Sequence, residues 1–401
     1  MTAADRLGRP ALEVADVIRE HGEAFLATHG GRLTDERCRA LRDLAACRTT
    51  ALGGHLERCD DCGHERPAYN SCRNRHCPKC QAATRAQWLE REAAFLLPTE
   101  YHHVVFTLPP RVAQLALAQP ALIYDLLFRA ASATLREVAA NPKRLGAQIG
   151  VLMVLHTWGQ NLHHHPHVHC VVTGGGLACD ARGHLDSTPR WISCRPGFFL
   201  PVRVLSRVFR GKYLALLRQA AEQGRLIGWP DAAAFDCWLA PAATTDWVVY
   251  AKPPFGGPGR VLKYLARYTH RVAISNHRLV SLDDGHVTFR YKDYADDHRL
   301  KTMRLPADEF LRRFLQHVLP RGFVKVRHYG LLANRHRDDR LKVCRRLLLV
   351  VAGAALLADA ARNPDAGIVE PARHAACPRC GGHRLTTVPL PNGGPGPRDT
   401  S

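Results

Sequence analysis

Apolar side chains along the chain recur with two different periods. From residue 10 to 45, Leu12, Val14, Val17, Ile18, Phe25 and Leu26 return at roughly helical spacing. Thr34-Asp35-Glu36-Arg37 then reads as an N-cap leading into Leu41 and Leu44. Gln81 to Leu97 is an amphipathic helix stopped by Pro98, and residues 111–140 hold one or two helices closed by Asn141-Pro142. Residues 202–223 form another, and Pro306 to Leu319 one more, amphipathic through Phe310, Leu311, Phe314 and Leu315. Strand patterns lie between the helices: Tyr101 to Leu108, ended by Pro109-Pro110, then Gln148 to Trp158, and Thr245 to Lys252. Val272 to Tyr294, alternating about Asp283-Asp284-Gly285, reads as a β-hairpin.

The most distinctive strand is His163-His164-His165-Pro166-His167-Val168-His169-Cys170-Val171-Val172, which feeds into Thr173-Gly174-Gly175-Gly176. Alternate side chains of a strand share a face, so His167 and His169 point the same way while Val168 helps bury the strand. Two neutral imidazoles on one face are half of a divalent metal site. The plainer reading is a sheet surface carrying solvated histidines.

The chain has 401 residues, 46% of them hydrophobic and 23% charged, which is ordinary globular composition with room for two or three domains. Charge changes the picture: Lys+Arg 56 against Asp+Glu 36 gives +20, an excess that favours a polyanionic partner, nucleic acid above all. Residues 1–10 have no apolar core of signal-peptide type. The apolar run Leu347 to Ala358 is twelve residues, short of the ~20 needed to span a bilayer, and predicts a buried helix. Fourteen cysteines, several in Cys-x-x-Cys pairs, then mean metal binding in a reducing, cytoplasmic protein with no membrane partner.

Cys59-Asp60-Asp61-Cys62 and Cys77-Pro78-Lys79-Cys80, with fourteen residues between the pairs, have the spacing of two knuckles around one tetrahedral Zn²⁺, as in a zinc ribbon. Cys47, His55, Cys72 and His76 are further ligand types nearby, leaving room for a swapped ligand or a second ion. Arg73, Arg75, Lys79 and Arg85 add positive charge around the pairs. Near the end, His374, Cys377, Cys380 and His383 at three-residue intervals suggest a second zinc knuckle, and the Pro/Gly-rich stretch from about Thr386 reads as a disordered tail.

After the rigid break Pro253 to Gly259 comes Arg260-Val261-Leu262-Lys263-Tyr264-Leu265-Ala266-Arg267-Tyr268-Thr269-His270-Arg271. On a helix Tyr264 and Tyr268 stack at i and i+4, with Lys263 and Arg267 in a parallel basic row. A tyrosine can attack phosphorus and hold the strand end as a covalent ester, given a metal ion and cations beside it. Taken alone, Tyr-x3-Tyr is far more often the mark of two half-buried core tyrosines.

The His-hydrophobic-His strand followed by a basic Tyr-x3-Tyr helix is the pattern of HUH endonucleases, and the chain resembles the rolling-circle two-tyrosine transposases of the insertion sequence 91 family. Three segments carry the likeness: His55 to Cys80 with its cysteine pairs, Leu155 to Cys170, and Tyr264 to Arg271 with Tyr291-Lys292-Asp293-Tyr294 and Arg327-His328-Tyr329-Gly330 beyond it. Phe106-Thr107-Leu108-Pro109 is similar to the opening strand motif of replication-initiator relatives. The resemblance implies an α+β fold, an HUH-endonuclease-like antiparallel sheet flanked by helices and preceded by a zinc-ribbon-like module. It further implies a DNA transposase that nicks and rejoins single-stranded DNA through 5′-phosphotyrosine. His167 and His169 would bind Mg²⁺ or Mn²⁺, Tyr264 and Tyr268 would be the nucleophiles, and Lys263, Arg267 and Arg271 would contact DNA. The third metal ligand stays open, with His156 ranked ahead of Gln160 and His165.

The expected organisation is a helical segment (1–46), a zinc-binding domain (47–97), the nuclease domain (98–340), a C-terminal helix with the second knuckle (341–385) and the tail (386–401). Arg290, Tyr291, Lys292 and Tyr294 of the hairpin could track a single strand. Arg335, His336, Arg337, Arg340, Lys342, Arg345 and Arg346 form a basic cluster suited to phosphate. No Walker A pattern is present, so duplex unwinding would fall to host replication or helicase machinery. Two rival classes remain: a zinc-dependent DNA-binding or regulatory protein without nuclease activity, and a hydrolase whose histidines activate water.

Overall fold

The computed structural model describes residues 10–180, 182–255, 260–261, 272–294, 296–359 and 376–390. Helices α1 (Val14–His29) and α2 (Asp35–Ala46) lead to a hairpin of β1 (Gly54–Cys59) and β2 (Glu65–Tyr69), then α3 (Gln81–Ala93). The central part follows: β3 (Tyr101–Thr107), α4 (Pro110–Ala118), α5 (Pro120–Ala140), β4 (Ala147–Trp158), β5 (His164–Ala178), β6 (Trp191–Ser193), α6 (Val202–Glu222), α7 (Ala232–Thr244) and β7 (Val249–Phe255). Then come β8 (Leu279–Asp283), β9 (His286–Asp293), β10 (Arg299–Pro306), α8 (Ala307–Leu315), β11 (Val326–Gly330), α9 (Arg337–Asp359) and β12 (Leu385–Leu390). The fold is thus mixed α and β with antiparallel sheets. Proline at the first turn of α4 and α5 supplies a preset φ where the missing N–H costs nothing.

The principal sheet runs β11-β4-β5-β3-β7, with β6 joined to the far end of β5. Strand alternation sorts its side chains. Val104, Phe106, Val151, Met153, Leu155, Val168, Cys170 and Val172 pack beneath α4, α5, α6 and α7 in the largest core. On the other face Tyr101, Leu152, Val154 and Val171 pack against Leu97, Leu331, Leu332 and, from α9, Leu341, Cys344 and Leu348. Cover on both faces is why β4 reads as a nearly unbroken apolar run. Further along α9, Leu348 is buried but Leu349 and Val350 are 64% and 75% exposed, so the expected all-buried helix is one-sided there.

A second core joins distant parts of the chain. Val14, Val17, Ile18 and Phe25 of α1 and Leu41 and Leu44 of α2 pack on Val287 and Phe289 of β9 and on Phe310, Leu311, Phe314 and Leu315 of α8, with Cys47, Cys77 and Cys80 at its edge. The hairpin turn at Asp284 (φ 47°) and Gly285 (φ 69°) has two successive positive φ values, the geometry that matches strand twist.

The third sheet, β12-β1-β2, corrects an expectation. Residues from Thr386 were expected to be a structureless tail, yet Leu385 to Leu390 pair antiparallel with β1, from Cys59↔Leu385 to Gly54↔Leu390. The partner strand lies at the other end of the sequence, and local composition carries no trace of it. Among the described residues no helix is long and apolar enough to cross a membrane.

Candidate functional site

Three histidines meet on the α9-side face of the principal sheet. His156 of β4 and His167 of β5 are ladder partners, and His169 lies two residues along β5 opposite Val154. Their ligating nitrogens all lie within 4.8 Å of one another. The rings are steeply inclined: 87° between His156 and His167, 62° between His156 and His169, and 66° between His167 and His169. His156 is buried, 4% exposed, and stacks on Trp158 with centroids 4.7 Å apart. Of the upstream alternatives, Gln160 gives its backbone carbonyl to Arg278. His165 lies beside His167, ring centroids 5.3 Å apart, outside the three-histidine group.

Hydrogen bonds set the ring orientations. His167 Nδ1 is 2.6 Å from the His165 carbonyl oxygen, which can only accept, so Nδ1 carries the proton and Nε2 keeps its lone pair. That Nε2 lies 3.1 Å from His169 Nε2. On its other side His169 Nδ1 is 2.9 Å from Nε2 of His103, whose ring stacks parallel at 5.2 Å. When the His169 proton sits on Nδ1 and is donated to His103, both Nε2 lone pairs aim at one point. Burial pulls His167 down to about 4, and burial with the nearby Lys252 charge pulls His103 down to about 3. Both rings are therefore neutral at ordinary pH, the state a ligand requires.

The sequence predicts strands at Tyr101 to Leu108 and Thr245 to Lys252, but assigns His103, Tyr250 and Lys252 no part in the site. The ladder places Lys252 opposite His103 and Tyr250 opposite Val105, hence on the histidine face. Tyr250 is 52% exposed with the Lys252 ammonium 5.9 Å from its ring centroid. Period-two alternation from Val249 outward was the signal that could have found them.

The cysteines regroup relative to the sequence expectation. Cys59, Cys62, Cys77 and Cys80 do not share one site. Cys77 and Cys80 join Cys47 and Cys72, while Cys59 and Cys62 join Cys377 and Cys380. The first set has Sγ separations of 3.5 Å (Cys47–Cys80), 3.6 Å (Cys72–Cys80) and 3.6 Å (Cys77–Cys47). The reason is topological: the first knuckle sits at the tip of the β1-β2 hairpin, whereas Cys77 and Cys80 are held against α2 in the second core. His383 is exposed and outside the second set; His374 lies outside the described residues.

Tyr264, Tyr268, Lys263, Arg267 and Arg271 also lie outside the described residues. Part of the expected basic cluster has structural work: Arg337 stacks over Phe95, Arg340 donates to the Gly330 carbonyl and Arg345 to that of Ala94. In the hairpin Arg290, Lys292 and Tyr294 are exposed, while Tyr291 packs on the second core.

Comparison with known proteins matches two family descriptions, "Transposase zinc-binding domain" over residues 17–108 and "Putative transposase" over residues 150–340. The "Putative transposase y4qJ" of Sinorhizobium fredii is 55% identical over 348 residues, 85% of each chain. The "Transposase for insertion sequence element IS801" of Pseudomonas savastanoi pv. phaseolicola is 31% identical over 325 residues, 78% of this chain and 74% of that one. No solved structure matches. The zinc-binding match encloses Cys47, Cys72, Cys77 and Cys80, a structural Zn²⁺ site, and the second match encloses all three histidines. With relatives of this identity and coverage, the chain belongs to the transposases of the insertion sequence 91 family.

Proposed function

We propose that this transposase nicks and rejoins single-stranded DNA through tyrosine, on an HUH-type sheet, with His156, His167 and His169 as the metal-binding face. The observation that carries the reading is the convergence of those three imidazoles on one face of an antiparallel sheet. They fit a divalent cation: two Nε2 lone pairs share one aim, and a third ring closes the set. Three nitrogens favour Mn²⁺ over Mg²⁺, which prefers oxygen. When bound, the cation would polarise the scissile phosphate.

The residues of the chain have the following tasks. The Tyr264 or Tyr268 oxygen attacks phosphorus, forming a phosphotyrosine at the 5′ end and releasing a 3′-hydroxyl, so one ester is exchanged for another. The second tyrosine takes the next strand. Lys263, Arg267 and Arg271 balance phosphate charge, and Tyr250 with Lys252 offers the incoming strand a stacking ring beside a cation. Host machinery opens the duplex.

The test is cleavage of single-stranded oligonucleotides carrying the element's ends by wild type, Tyr264→Phe, Tyr268→Phe and the double variant, with Mn²⁺, Mg²⁺ or EDTA. A metal-dependent covalent protein–DNA adduct, absent in the double variant, is expected. Binding without any adduct would favour the zinc-dependent binding protein. Cleavage persisting in the double variant would favour metal-activated water and overturn the tyrosine role.

A further inference from the structure

We infer that Cys59, Cys62, Cys377 and Cys380 hold a second Zn²⁺, closing a zinc ribbon whose two knuckles come from opposite parts of the chain. The inference is independent of the nuclease reading. It concerns thiols of which only two lie within the matched zinc-binding domain.

The first observation is sulfur spacing. Cys59 and Cys380 Sγ lie 3.6 Å apart, and Cys62 and Cys377 Sγ 3.7 Å apart, although the residues are 321 and 315 positions apart in sequence. A disulfide needs about 2.05 Å. The edge of a tetrahedron with Zn–S near 2.3 Å is about 3.8 Å. Four sulfurs at this spacing cannot all be thiolates without a cation between them.

The second observation is that the two knuckles repeat each other's backbone. Gly63 N–H donates to the Cys59 carbonyl at 2.8 Å, and Gly381 N–H to the Cys377 carbonyl at 2.8 Å. Cys59 N–H donates to the His64 carbonyl and Cys377 N–H to the Gly382 carbonyl, at 2.9 and 2.8 Å. Gly63 and Gly381 have φ of 68° and 76°, so each Cys-x-x-Cys-Gly turns back through a conformation that glycine adopts freely. Gly382 N–H also points at Cys380 Sγ, 3.4 Å away.

Third, polar contacts dock the segments beside the sulfurs. Arg384 pairs with Asp61, Thr386 Oγ1 donates to Asp60 at 2.8 Å, and Asp60 N–H donates to the Arg384 carbonyl at 3.0 Å. Strand β12 then continues along β1 for six residue pairs. The Asp60-Asp61 pair inside the first knuckle is thus the acceptor for the second segment.

The test counts tetrathiolate sites in the full chain, a readout blind to the imidazole cluster. The cadmium-substituted wild type, read by ¹¹³Cd NMR, should give two resonances in the four-sulfur range. Cys377→Ser with Cys380→Ser should remove one, and Cys59→Ser with Cys62→Ser should remove the same one. All four substitutions together should still leave the other. One tetrathiolate resonance in wild type overturns the inference, and that count decides even where a variant does not fold. So does a Cys59/Cys62 variant that loses the resonance surviving in the Cys377/Cys380 variant, because the contiguous four-cysteine site would then exist.

Discussion

His156 and His167 face each other across the β4-β5 ladder with their rings nearly perpendicular, centroids 5.5 Å apart. Ten residues lie between them in the sequence; the register of two antiparallel strands removes that separation. With His169 one alternation further, strand pairing alone gathers the three histidines on one face, and several outcomes can be measured.

Removing a ligand should differ from removing its neighbour. His156→Ala should lower Mn²⁺ affinity by more than the ~10–100-fold that losing an outer partner costs. His165→Ala, which leaves the backbone carbonyl on His167 in place, should cost far less. Titration calorimetry with Mn²⁺ compares the two, and equal losses would count against His156 as the third ligand.

His103 should act through His169. His103→Phe keeps a ring to stack but removes the acceptor 2.9 Å from His169 Nδ1, so Mn²⁺ affinity should fall about 10–100-fold. His103→Gln, which restores an acceptor, should recover much of it. A drop in the metal-free melting temperature with unchanged affinity would show packing to be the role instead.

Acid should destabilise the fold before its carboxylates titrate. The neutral ring of His317 is satisfied on both sides: Nε2–H donates to the Leu162 carbonyl and Nδ1 accepts from the Thr157 hydroxyl, each at 3.1 Å. Burial lowers it from 6.5 to about 3, and likewise lowers His102 to about 4. The folded value lies below the unfolded one, so the unfolded chain takes up protons first as pH falls. Stability from the neutral ring is complete above about 6.5 and declines towards pH 3, by up to about 1.4 kcal/mol per pH unit for each such histidine. Urea midpoints at pH 7.5, 6 and 5 should fall, and His317→Gln should flatten the decline. Equal slopes in both proteins would rule His317 out as a cause.

The glycine run after the histidines is steric. A Cβ on Gly175 would sit 2.5 Å from the Ile192 carbonyl oxygen and 2.8 Å from the Trp191 ring, where β6 closes on β5. Gly175→Ala should therefore destabilise by about 1–3 kcal/mol, read from denaturant midpoints. An unchanged midpoint would mean that β6 can move away freely.

Sequence alone determined whatever depends on short-range periodicity and residue chemistry. Alternation put His167 and His169 on one face, Asp284-Gly285 specified the hairpin turn, and prolines opened α4 and α5. Motif order carried the family. Tertiary structure decided every partnership between distant segments. It set His156 beside the pair through register, and brought His103 and Lys252 to the same face across β3 and β7. It also divided the cysteines between two clusters, because Cys-x-x-Cys spacing fixes a knuckle but not its partner. A knuckle supplies only two of four ligands, and which second pair comes within about 4 Å depends on strand pairing hundreds of residues away.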